Sequence, residues 1–281
     1  MIGNYLKTAL LLGALTGLML LAGRLLAGPT GLVVALVFAV LMNFAMYWFS
    51  GKVVLMMYRA KEAPKSKYPK LHKIVEELAK KSGMPKPKIY IVPSPQPNAF
   101  ATGRDEKNAV VACTEGILEL LTDDELKGVL AHELSHVKNR DMLITTIAAT
   151  MAGVISYIAN MAQWAAIFGS RDDDRGGNIF GIIALAIITP IIAMLIQLTI
   201  SRSREYLADE RGAKTIGNGE PLARALEKIE AGVKAHPMKF GSPATSSLFI
   251  ANPFSAGGLA LLLSTHPSTK DRVARLKSMK I

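Results

Sequence analysis

The sequence contains a single cysteine, Cys113, among 281 residues. One cysteine excludes an intrachain disulfide, and it lacks the repeated spacing of a thiolate metal site. A reducing compartment is therefore permitted, and Cys113 reads as a small buried strand residue. Acidic residues are also scarce: 22 Asp and Glu stand against 33 Lys and Arg, for a formal net charge of +11. No stacking or groove-reading motif accompanies that charge, so nucleic acid is not an expected partner. Repeats and low-complexity tails are absent, and charged residues make up only 20% of the chain. Hydrophobic residues make up 50%. That is oily for a soluble protein and polar for a membrane bundle, so a chain divided between bilayer and water fits best.

Four apolar stretches carry most of the oil. They run from about Thr8 to Ala27, Leu32 to Phe49, Met142 to Phe168 and Ile179 to Ile200. Each is close to the roughly 20 residues a helix needs to cross a bilayer. The first two are joined by the breaker "AGPTG" and read as a helical hairpin. The first is long and is followed at once by another span, so it reads as an anchor rather than a cleaved leader. After the second span come Lys52, Arg59, Lys61, Lys65, Lys67, Lys70 and Lys73, whereas the first hairpin offers only Arg24. By the positive-inside rule, both termini and the segment from Gly51 lie in the cytoplasm. The loop "SRDDDRGGN" between spans three and four then lies outside, and Trp48 and Trp164 suit interfacial positions. A buried helical pair within one globular domain is the alternative for spans three and four.

The expected organisation is therefore a transmembrane hairpin at 1–50 and an aqueous domain split between 51–141 and 201–281, with a second hairpin at 142–200. The fold class is mainly α with a small β-sheet, an α+β domain plus transmembrane helices. The first aqueous piece opens with a helix over about Tyr68 to Ser82. "KIYIVPS", "NAFATG" and "NAVVACTEGIL" read as strands, with a turn at Asp105–Lys107. "TDDELKGVLAHELSHVKNRD" is a helix with Thr122 at its N-cap, acids in the first turn and bases near the end. The second aqueous piece is mostly helical, with a loop-like stretch "HPMKFGSPATSSLFIANPFSAGG".

The chemistry concentrates in "AHELSH". Residues four apart share a helix face, so His132 and His136 can point at one zinc ion. Glu133 is offset by about 100° and can take a proton beside the metal without ligating it, the metalloprotease arrangement. A catalytic zinc needs a third protein ligand. "SRSREYLADERGA", directly after span four, offers Glu205 as that ligand and Asp209, one turn on, to fix a histidine ring. On spacing alone the two carboxylates serve equally well as surface partners of Arg202 or Arg211. The charge in "LTDDELKG" argues against a motif embedded in lipid.

"AHELSH" followed by an apolar hairpin and "SRSREYLAD" resembles the HtpX family of membrane zinc endopeptidases, and more distantly the prenyl-protein (CAAX) endopeptidases. The N-terminal hairpin, "PNAFATG", "LFIANPF" and "STHPSTKDRVARL" extend the likeness over nearly the whole chain. The resemblance implies a gluzincin-type site, with one Zn2+ per chain on His132, His136 and Glu205 and with Glu133 as general base. It implies that Asn98, Ala99, Phe100 and Ala101 form an edge strand that pairs with extended substrate. It also implies that His266 and Arg272 stabilise the oxyanion. On the sequence alone, His266 before Pro267 reads equally as a capping loop residue and Arg272 as a solvated helix charge. The expected function is an endopeptidase of the cytoplasmic membrane acting on misfolded membrane proteins or unfolded polypeptides. The alternatives are a CAAX-type processing protease, an intramembrane protease, and a non-catalytic zinc-binding scaffold.

Overall fold

The two N-terminal apolar stretches form one helical unit, α1 (Ile2–Met57), in the computed structural model, which describes residues 2–139, 141–152, 202–238, 240–241, 243–254 and 267–281. The helix breaks where the sequence predicts. Ala27 leaves helical geometry, Gly28 takes φ 61°, and Pro29 restarts the second half. Only glycine adopts that φ without a steric penalty, and proline needs no N–H partner in a first helical turn. The halves lie side by side, with Asn43 Nδ2 donating to Thr16 Oγ1 at 2.8 Å. Ala27–Met57 is 31 residues long and contains an 18-residue window with a mean hydropathy of 2.2, long and apolar enough to cross a membrane. Val33, Phe38, Leu41 and Phe44 are each more than half exposed along it. An apolar surface of that extent calls for lipid or a partner.

The helix does not stop at residue 50. It continues for two more turns, because Val54, Leu55 and the following Tyr58 are buried against Phe100 and Phe249. It ends where Arg59 takes φ 51° and the Ala60 N–H returns to the Leu55 carbonyl at 2.8 Å. The chain then forms a short strand not expected from the sequence, β1 (Lys61–Glu62), followed by α2 (Pro69–Lys81).

β2 (Lys88–Val92), β3 (Ala99–Thr102) and β4 (Val110–Thr114) complete a four-stranded mixed sheet in the order β1-β2-β4-β3. β2 and β4 are parallel, and the two outer pairings are antiparallel. Strand β3 is thus an edge. The stretch "NAVVACTEGIL" is strand only in its first half. Thr114 caps a helix by accepting from Ile117 N at 3.2 Å, and α3 (Glu115–Leu120) follows. Threonine at that position diverts the ladder, because its hydroxyl satisfies a first-turn N–H. Cys113 is fully buried on β4, as its sequence context suggested.

The remaining elements are α4 (Asp123–Asn139), α5 (Met142–Ala152), α6 (Arg202–Ile216), α7 (Glu220–Ala235) and α8 (Thr269–Ser278). One core lies between the sheet and α2, α4 and α7, built from residues such as Leu78, Ile89, Val111, Leu130 and Leu222. A separate cluster joins α5 to the hairpin through Met46, Ile144, Ile147 and Met151. The fold is α+β, mostly helical with a small sheet. Apart from 142–152, apolar spans three and four lie outside the described residues.

Candidate metal centre

Helix α4 packs against α2, α6, α7 and strand β3. Its start is a capping box: Glu125 N donates to Thr122 Oγ1 at 3.4 Å, and Thr122 N donates to Glu125 Oε2 at 3.0 Å. Lys228 from α7 reaches the same carboxylate at 2.7 Å. The middle of the helix is buried on every side, including His132, Glu133 and Ser135. Helix α6 crosses it closely at Gly212, where a Cβ would lie 2.9 Å from His132 N. This close approach carries the residues of "SREYLAD" to the histidines.

The three expected ligands meet. His132 Nε2 and His136 Nε2 are 3.1 Å apart. Glu205 places Oε2 3.8 Å from the first and Oε1 3.6 Å from the second. Donors held tetrahedrally about 2.1 Å from one ion are themselves about 3.4 Å apart, so these separations suit a single cation between them. Among the described residues this is the cluster able to hold a metal ion. Each ring is held from behind by a carboxylate. His132 Nδ1 lies 2.8 Å from Asp209 Oδ1, and His136 Nδ1 lies 3.2 Å from both oxygens of Asp141. Donating Nδ1–H in this way leaves the Nε2 lone pairs facing each other. That is repulsive unless a positive charge sits between them.

The electrostatics point the same way. Burial opposes charge on His136, yet Asp141, Glu205 and Glu133 push its pKa up to about 10. Burial lowers the pKa of His132, with Asp209 opposing. The carboxylates around His136 therefore favour a cation at its ring, while Arg272 and His136 add to the lowering at His132. Burial raises Glu133 to about 8, with Glu205 adding to the shift while His136, Arg272 and the backbone of Ala101 oppose it. A divalent ion beside Glu133 would bring that value back down, since an opposite charge favours the ionised carboxylate.

Asp209 pairs with neither Arg202 nor Arg211. It accepts two bonds from Arg272, Nε to Oδ2 at 2.9 Å and Nη2 to Oδ1 at 2.7 Å. Burial opposes its charge, but Arg272 and His132 hold its pKa down to about 2. Arg272 also donates from Nη1 to the Ile250 carbonyl at 3.0 Å. The structure thus places Arg272 on Asp209, with Nη2 3.4 Å and 3.5 Å from the two ring nitrogens of His132 and Nη1 3.9 Å from Glu205 Oε2; it does not line the cavity in front of the ligands. His266 lies outside the described residues.

That cavity holds about 30 Å³, room for a water or two. Ala101, Glu133 and Glu205 line it, together with Ser247–Ile250. Of the four expected substrate-strand residues, Ala101 alone reaches the cavity. The Ala99 carbonyl accepts from Ile250 N at 3.2 Å, and Asn98 Nδ2 donates to the Ala251 carbonyl at 2.7 Å. Phe100 is buried in an aromatic cluster with Tyr58 and Phe249. The chain's own segment therefore occupies part of the free edge of β3. Sequence reasoning missed Asp141. The legible signal was an aspartate directly before an apolar helical run, an N-cap pattern whose side chain here also turns to the histidine.

The family model described as Peptidase family M48 matches residues 65–280. The chain is 52% identical over 281 residues to a protease HtpX homolog of Syntrophobacter fumaroxidans, covering 99% of this chain and 100% of that protein. It is 56% identical over 266 residues to the HtpX homolog of Aquifex aeolicus, covering 92% of this chain and 88% of that one. The crystal structure of Ste24p from S. mikatae shares the fold, with a TM-score of 0.51 at 21% identity. It covers 98% of this chain, which spans 66% of Ste24p. With the histidines, the glutamates and the matched residues in one place, the chain belongs to peptidase family M48, among the HtpX proteases, and is a metalloprotease.

Proposed function

We propose that this chain is a membrane-embedded, zinc-dependent endopeptidase with a cytoplasmic active site, acting on misfolded or damaged membrane proteins. One observation carries the catalytic part: three donors at the spacing of one tetrahedral ion, beside a buried carboxylate that is not among them. Support for embedding comes from the exposed apolar run of Ala27–Met57. The cytoplasmic side follows from the lysines and arginines that come directly after it.

His132, His136 and Glu205 would hold the zinc. When bound, the ion supplies Lewis-acid polarisation of water and of the scissile carbonyl. Glu133 accepts a proton at its carboxylate and returns it to the departing amine. Asp209 and Asp141 keep the two imidazoles in the ligating tautomer and orientation. Arg272 acts as a positioning residue that neutralises and fixes Asp209. An extended peptide adds to the free edge of β3 near Ala101. To do so it displaces the Ile250–Ala99 bond, because Ile250 occupies that stretch of the edge.

The test is Glu133→Gln in detergent-purified protein. Cleavage of an unfolded polypeptide should fall by roughly 10²–10⁴-fold, with zinc content unchanged, and chelation should stop the wild type until zinc is restored. Undiminished turnover in the variant would remove Glu133 from the mechanism. Faster cleavage of a destabilised membrane protein than of its stable parent would support the substrate class, and equal rates would count against it.

A further inference from the structure

A second cavity, of about 320 Å³, opens where α1 ends its apolar stretch. Its walls are the Tyr47–Lys52 part of α1, the start of β2, and the turn between β3 and β4. Four cations line it, Lys52, Lys88, Arg104 and Lys107, and no carboxylate does. Of the carboxylates nearest in sequence, Asp105 pairs with Arg104 at 3.2 Å and so offsets one of the four charges, and Glu106 faces Lys138 at 3.9 Å. Lys52, Lys88 and Lys107 have no carboxylate partner among the described residues. The Arg104 guanidinium lies over the Trp48 ring at 4.0 Å, which holds that charge at the cavity.

Lysines on a water-facing surface are ordinary, but their place here is not. The face of α1 just before the cavity is apolar and open, with Leu41, Phe44, Trp48 and Phe49 between 45% and 61% exposed. Lys52 follows within one turn. Tryptophan and tyrosine prefer the headgroup level of a bilayer. If α1 is embedded, as the proposed function holds, the four cations therefore stand at the depth of the lipid phosphates. A cavity of this size is in the range that holds small ligands. Like charges gathered around one space repel unless an anion enters it.

We propose that this cavity binds the headgroup of an anionic phospholipid in the leaflet where α1 ends. The phosphodiester sits among Lys52, Lys88, Arg104 and Lys107, and the acyl chains lie along the exposed apolar face of α1. The site lies at the tip of the β3–β4 hairpin, and β3 runs from there to Ala101 at the metal centre. Bound lipid thus fixes the level and tilt of the catalytic edge strand relative to the bilayer.

The test is native mass spectrometry of the delipidated full-length protein in nonionic detergent. It is titrated with phosphatidylglycerol, with phosphatidylcholine, and with phosphatidylglycerol in the presence of inorganic phosphate. One phosphatidylglycerol per chain should bind at least about tenfold tighter than phosphatidylcholine. Lys88→Gln combined with Lys107→Gln should weaken it by about fivefold per cation removed, roughly 25-fold in all. Lys270→Gln combined with Lys280→Gln removes the same charge away from the cavity and should leave binding unchanged. Equal loss in both pairs would mean diffuse surface attraction and overturn the site. Displacement by inorganic phosphate at concentrations similar to the lipid would reassign the cavity to a soluble anion. Release of the wild type from membranes by alkaline carbonate is a separate readout, and it would overturn the embedding on which the proposal rests.

Discussion

Asp209→Ala disturbs two things at once, and the structure separates them. The carboxylate holds the His132 ring and neutralises Arg272, both of them buried. Its pKa is depressed from about 3.8 to about 2. A group with a lowered folded-state pKa stabilises the fold fully above its unfolded value and loses that contribution as pH falls through the folded one. The shift of nearly two units corresponds to about 2 kcal/mol, lost between about pH 4 and pH 2 in metal-free protein. Truncation costs more than protonation, because it leaves the Arg272 guanidinium buried without its partner, and broken buried pairs cost roughly 3–5 kcal/mol. For a domain of this size that lowers the melting temperature by on the order of 10 °C. Zinc affinity, measured by competition with a chelator, should weaken about 10–100-fold because the ring loses its orienting acceptor. Combining Asp209→Leu with Arg272→Met removes both charges. Much of the stability should return, while zinc binding stays weak. If Asp209→Ala melts with the wild type and binds zinc equally well, the carboxylate neither supports Arg272 nor orients His132, and the reasoning fails.

Asp141→Ala should weaken zinc by a similar 10–100-fold, read from metal content after dialysis against a weak chelator, and unchanged content would show that His136 needs no orienting acceptor. Glu125→Ala removes the capping box and the bond to Lys228, so denaturant unfolding should show a loss of roughly 1–3 kcal/mol while zinc affinity stays put. Gly212→Ala drives a methyl into the His132 backbone and should separate α4 from α6, costing roughly 1–3 kcal/mol. It should also weaken zinc, because Glu205 rides on α6, and wild-type stability and affinity in this variant would mean that the close crossing is not required.

The histidine pair was legible because it depends only on helical periodicity. His132 and His136 share a face wherever that helix lies, and Thr122 and Glu125 fix its start by bonds spanning three residues. The break at Gly28 and the strands at Lys88–Val92 and Ala99–Thr102 were equally local, set by backbone freedom at glycine and by short apolar runs ending in proline or glycine. Local pattern misled where a single side chain outweighed it. Thr114 turned the expected strand into a helix, and burial of Val54 and Tyr58 carried α1 beyond residue 50.

The sequence by itself determined which residues could bind a metal and which helices could be lipid-facing, since both follow from chemistry and short-range period. Packing alone decided what those residues touch. Glu205 meets the histidines because Gly212 lets α6 press against α4. Asp209 turns inward to His132 because Arg272, 63 residues further along the chain, arrives to neutralise it. The outer edge of β3 is taken at Ala99 by Ile250, a pairing between residues far apart in the chain. Such contacts come from desolvated charges and backbone groups finding partners across the core, and no spacing along the chain encodes them.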